Sequence, residues 1–104
     1  MIKKDILFLG LNDKDAKIQL INTLEAYKVV MNSVAGVGYE GATVSECTGF
    51  YTHASGDFVI EKSLRIEILF SDEKKTLKLI DILKNAFNQE SIALQHEEVE
   101  SKLV

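Results

Sequence analysis

The sequence predicts an α+β fold in the order strand, helix, strand, strand, helix, strand, with both helices on one face of an antiparallel sheet. Three observations carry this. Residues 6–11, ILFLGL, form an apolar run too short for a stable helix. Residues 58–70 contain the alternation Leu64, Ile66, Ile68, Phe70 against Ser63, Arg65, Glu67, Leu69, the period of a strand with one buried face. Two further stretches, beginning at Asn22 and near Asp72, repeat apolar residues every three or four positions.

The first strand, 6–11, is apolar at successive positions, which implies burial on both faces. Residues 12–19, with Asp13, Lys14, Asp15 and Lys17, read as a connecting loop. Asn22 can cap a helix, and Glu25, three residues on, completes the spacing of a capping box. From there Leu24, Tyr27, Met31, Val34 and Ala35 predict one buried stripe, and Gly36 or Gly38 can end the helix in a left-handed conformation. Residues 42–51, rich in Thr, Val and aromatic side chains, predict the second strand. Ser55 and Gly56 lie in a turn over 52–57, and the long third strand follows over 58–70.

Ser71 or Asp72 can cap the second helix, whose expected stripe is Leu77, Ile80, Leu83 and Phe87, widened by Leu79, Ile82 and Ala86. Asn88 offers a stop, residues 92–98 a last strand, and 101–104 a fraying tail. The resulting βαββαβ order is the ferredoxin-like arrangement, in which right-handed crossovers put both helices on one side of the sheet. The other side stays open, and either Ile6 with Phe8 or Leu7 with Leu9 and Leu11 must face it. A homo-oligomer, dimer or trimer, joined through sheet faces or edges is therefore expected.

A chain of 104 residues suits a single domain, 1–104, and 46% hydrophobic with 27% charged residues is an ordinary globular composition. A net charge of −4 argues against a broad grip on nucleic acid. No apolar stretch approaches the roughly 20 residues that span a bilayer, and the N-terminus has no signal-peptide pattern. With one cysteine and no intramolecular disulfide, a cytoplasmic location is expected.

Gly36, Gly38 and Gly41 satisfy G-x-G-x-x-G, but a helix precedes them and a strand follows, the reverse of a dinucleotide site, so they read as helix cap and turn. Asn12, Asp13 and Asp15 lack the glycine and distal glutamate of a calcium loop, so a solvated loop is expected. His53 and His96 lack partners at zinc-ligand spacing. Cys47 reads as a small hydrophobe in a strand, and Arg65 beside Glu67 as an ion pair or an anion-binding group. The polar run Asn88, Gln89, Glu90 and Ser91 joins the second helix to the last strand. No catalytic set emerges; the ligand or interface candidates are Glu46, Cys47, His53, Arg65 and Glu67, with no cofactor or metal assigned.

Residues 41–51, GATVSECTGFY, and 64–73, LRIEILFSDE, resemble the second and third strands and second-helix start of PII-like, nitrogen-regulatory-protein-like signalling domains. Residues 87–91, FNQES, are also similar to small bacterial domains of this length. The resemblance covers about the C-terminal two-thirds of the chain. It implies a ferredoxin-like fold, commonly trimeric, with small effectors bound in clefts between subunits. The short 52–57 turn replaces the long partner-contacting loop of PII proteins, and no basic phosphate loop follows the second helix. The expected function is a non-catalytic oligomeric sensor or interaction module; the alternative is a small enzyme with a cleft between subunits, in which Glu46, Cys47 and His53 supply acid and base groups.

Overall fold

A computed structural model describes residues 1–52 and 54–104; His53 lies outside the described residues. The elements are β1 (Ile2–Gly10), α1 (Thr23–Gly36), β2 (Thr43–Thr52), β3 (Phe58–Leu69), α2 (Glu73–Ala86) and β4 (Ala93–Val99), in the predicted order. They form one sheet in the order β2-β3-β1-β4, antiparallel throughout. The ferredoxin-like α+β architecture follows.

β1 is longer than the apolar run because its register with β3 continues back to Lys4↔Leu69 and with β4 to Ile2↔Val99. Its alternation settles which side faces the helices. Leu7, Leu9 and the adjoining Leu11 join Leu64, Ile66 and Ile68 in the core beneath α1 and α2. Ile6 and Phe8 occupy the open side. That side is not the bare apolar surface expected, because Ile6 is only 6% exposed and is flanked across the ladders by Glu67 and Gln95.

Both helix starts agree with their capping residues. The Asn22 side chain accepts from the Glu25 amide at 2.9 Å, and Asp72 accepts from the Lys75 amide at 3.1 Å. The buried stripes are rotated from the expected ones. In α1, Ala26, Val30 and Val34 are buried while Leu24, Met31 and Ala35 face solvent. In α2, Thr76, Leu79 and Leu83 are buried, with Phe87 just beyond, while Leu77, Ile82 and Ala86 are exposed. The small Ala26 and polar Thr76 hold positions that hydrophobicity alone assigned to larger neighbours.

Gly38 ends α1 with φ +98, and the Gly38 and Tyr39 amides donate to Ala35 and Val34. Thus the glycine motif is a helix cap and turn. Phe70 departs from the strand alternation: its φ of 56 is left-handed, which turns its ring out of the core.

Candidate functional site

At one end of the sheet, the turn after α1 and the junction between β3 and α2 enclose a groove of about 450 Å³. Tyr39, Glu67, Leu69, Phe70, Lys75 and Leu103 are among its lining residues. Tyr39 and Lys75 stand on the helix side, with the Lys75 ammonium 5.5 Å from the Tyr39 ring centroid and 3.3 Å from the Gly38 carbonyl oxygen. Phe70 is a bulky residue held at positive φ, a strained arrangement that clusters at functional positions.

Glu67 reaches the groove from the open sheet face, where it anchors a four-residue ion network across three strands. The Arg65 Nη1 donates to Glu67 Oε2 at 2.7 Å, and the Lys4 ammonium sits 3.2 Å from both Glu67 and Glu97. The hydrogen bonds from Arg65, then Lys4, hold the Glu67 carboxyl below its ordinary range. The Lys4 ammonium is correspondingly raised, first by Glu67 and then by Glu97. The sequence reading of Arg65 and Glu67 as a pair agrees with this geometry, but Lys4 and Glu97 were not legible in it. Only the sheet register brings them alongside.

Beneath the groove runs a buried polar chain that sequence reasoning missed. Asp5, 2% exposed, pairs with His96 Nδ1 through one carboxylate oxygen and accepts from Thr76 Oγ1 at 2.7 Å through the other. Thr76 Oγ1 lies 2.6 Å from the Tyr39 hydroxyl, which accepts from the Asp72 amide at 2.9 Å. Thr76 donates to Asp5, and the single Tyr39 hydroxyl proton is shared between two acceptors, the Thr76 oxygen and the Asp72 carbonyl 2.8 Å away. One signal for it exists in the sequence, since Thr76 interrupts the periodic apolar face of α2.

The other expected residues are dispersed. Glu46 and Cys47 are successive in β2 and point to opposite sheet faces: Glu46 pairs with Lys62 at 3.1 Å, and the Cys47 thiol donates to the Ser63 carbonyl at 3.6 Å. These two do not converge on one site. At the other end of the sheet, Asp13 accepts from the Asp15 and Ala16 amides, while the Asn88 side-chain amide donates to Asp13 and Asp15. The Ala16 amide, then Asn88, then the Asp15 amide hold the Asp13 carboxyl below its usual range. The Gln89 side chain donates to the Asn12 carbonyl, so this acidic group ties the loop to the end of α2. Among the described residues no helix is long and apolar enough to cross a membrane.

No family model and no curated protein sequence matches the chain. Solved structures do. A phage SAM lyase in complex with S-methyl-5'-thioadenosine is 26% identical with a TM-score of 0.72, over 92% of this chain and 80% of that one. A phage SAM lyase in the apo state is 25% identical with a TM-score of 0.69, over 92% of this chain and 79% of that one. The periplasmic divalent cation tolerance protein CutA from Archaeoglobus fulgidus is 9% identical at TM-score 0.63, over 96% and 87%. GlnK in complex with ATP, from B. subtilis, is 11% identical at TM-score 0.56, over 92% and 84%. The chain thus has the PII-like version of the ferredoxin-like fold, on a divergent sequence.

Proposed function

We propose that this protein is a homo-oligomeric lyase that cleaves S-adenosylmethionine and releases S-methyl-5'-thioadenosine, using the groove beside Glu67. The observation that carries the reading is the 26% identity to the phage SAM lyase over 92% of this chain, well above the identities to CutA and GlnK. It favours the enzyme alternative over the non-catalytic sensor, and on a site different from the Glu46, Cys47 and His53 set.

The chemistry asks little of acid or base groups. A sulfonium carries its own leaving group: breaking the bond from sulfur to the aminobutyrate Cγ leaves both electrons on sulfur as a neutral thioether. The substrate's own carboxylate can close on Cγ to give a lactone, so atoms and charge balance without a co-reactant. The protein needs to bind the two halves and hold them in a reactive geometry. The groove offers apolar walls at Leu69 and Phe70, a carboxylate at Glu67 and an ammonium at Lys75 for the charged arm.

The test is incubation of the purified chain with S-adenosylmethionine and chromatography of the products. Formation of S-methyl-5'-thioadenosine, reduced at least tenfold by Glu67→Gln, is expected. If the parent chain binds that thioether without turnover, the sensor function replaces the lyase.

Self-association is supported by the hairpin of β2 and β3, where Phe50, Phe58 and Ile60 are largely exposed and the two Phe rings lie 6.0 Å apart. Three such side chains present roughly 300–400 Å² of apolar surface, the size of the largest apolar patch on a typical monomer, which is often functional. Sedimentation of the parent as an oligomer and of Phe50→Ser/Phe58→Ser as a monomer is the expected result.

A further inference from the structure

Two apolar side chains on the groove lie outside the hydrophobic core. Phe70 is 56% exposed and Leu103 is 90% exposed, yet both line the cavity. They come from different parts of the chain, the β3–α2 junction and the segment after β4. Phe70 is held at φ 56, where a bulky side chain is disfavoured and glycine is at ease. The left-handed residue lies where the chain leaves β3 for α2, and the next amide, of Ser71, donates to the Lys3 carbonyl at 3.0 Å. The same turn sets an aromatic ring at the groove, which a glycine making the turn would not.

We propose that Phe70 and Leu103 are the two jaws of a subsite for a planar heteroaromatic ring, Phe70 stacking on one face and Leu103 closing over the other. The inference rests on the proposed adenosine-containing ligand and adds how its base is held. Stacking suits this pair because every base offers a π-face and no polar group is needed opposite it. Leu103 closes the subsite by burying apolar surface that it otherwise leaves in water.

The test is titration calorimetry with S-methyl-5'-thioadenosine, adenosine and ATP, on the parent, Phe70→Gly and Leu103→Asp. Phe70→Gly relieves the left-handed strain, so its melting temperature should equal or exceed that of the parent while affinity falls on the order of tenfold, as for a lost base–aromatic stack. Leu103→Asp should leave melting unchanged and weaken binding several-fold. A purely structural role for Phe70 gives the opposite pattern, with stability lost and affinity kept. If the parent binds S-methyl-5'-thioadenosine and both variants bind within twofold of it, the clamp is overturned and the lyase reading stands. If the parent binds adenosine or ATP but not the thioether, and Phe70→Gly loses that binding, the clamp stands and the lyase reading falls. Binding of none of the three overturns both.

Discussion

Replacing Thr76 by Val tests the buried chain under the groove. The two side chains have nearly the same shape, so the substitution removes a hydroxyl and leaves no cavity. Asp5, 2% exposed, then loses the 2.7 Å hydrogen bond to its second oxygen, and Tyr39 loses its 2.6 Å partner while still donating to the Asp72 carbonyl and accepting from the Asp72 amide. A hydrogen bond to a charged group is worth about 1.5–3 kcal/mol. The added methyl group, buried in the same place, returns about 0.8 kcal/mol. The net expectation is a destabilisation of about 1–2 kcal/mol, read as a lower urea midpoint with an unchanged slope. For a domain of this size that corresponds to about 5–10 °C in melting temperature. A double-mutant cycle with Asp5→Asn should give a coupling of about 1 kcal/mol, because Thr76 then has no carboxylate to serve. A Thr76→Val protein within about 0.3 kcal/mol of the parent, with no coupling to Asp5, would refute the chain as a stabilising element.

Gly38→Ala places a Cβ on a residue at φ +98 and should cost about 1 kcal/mol in denaturant unfolding. Val30→Ala should cost about 2 kcal/mol, whereas Met31→Lys, one residue on but facing solvent, should stay within about 0.5 kcal/mol; the reverse ranking would mean that α1 is rotated from its observed phase. Glu67 and Asp13 both have folded-state carboxyls below their usual values, so their contribution is complete above about pH 4.5 and fades as pH falls through the lower folded values. Glu67→Gln should therefore flatten the decline of the urea midpoint as pH falls below about 4.5. Lys4, shifted upward, contributes below its usual 10.5 and loses that contribution as pH rises through its folded value.

The fold was legible because its signals are local. Period two in β3, the capping residues Asn22 and Asp72, and the glycines after α1 each report on a few neighbouring residues. The helix phases were less so. Leu24 and Met31 outrank Ala26 in hydrophobicity, but it is Ala26, in line with Val30 and Val34, that lies on the face of α1 turned to the core. The site was legible only in part. Arg65 and Glu67 are two apart on one strand, which periodicity places on one face. Lys4 and Glu97 join them through registers that depend on how β1 pairs with both neighbours. Asp5 and Thr76, 71 positions apart, meet only after α2 has crossed back over the sheet. Phe70 continues the alternation of β3 on paper, and nothing in its residue type announces the positive φ that sends it to the groove.

The ion network also bears on what holds a ligand beside Glu67. A sulfonium about 4 Å from that carboxylate gains about 4 kcal/mol at an effective dielectric of 20. Arg65 and Lys4 already sit 2.7 and 3.2 Å from the same carboxylate. From about 6–7 Å each would repel the sulfonium by roughly 2.5 kcal/mol. Two such repulsions cancel the attraction, so the positive charge of the substrate adds little to binding unless one of the resident cations moves aside. The adenosine and thioether parts, in contact with apolar walls, must then supply most of the affinity. On this argument S-adenosylmethionine and the neutral S-methyl-5'-thioadenosine should bind within about tenfold of each other, roughly 1.4 kcal/mol, with weak dependence on ionic strength. Much tighter binding of the sulfonium, lost in moderate salt, would mean that Glu67 exchanges Lys4 or Arg65 for the ligand. In that case Lys4→Met should strengthen substrate binding by freeing the carboxylate.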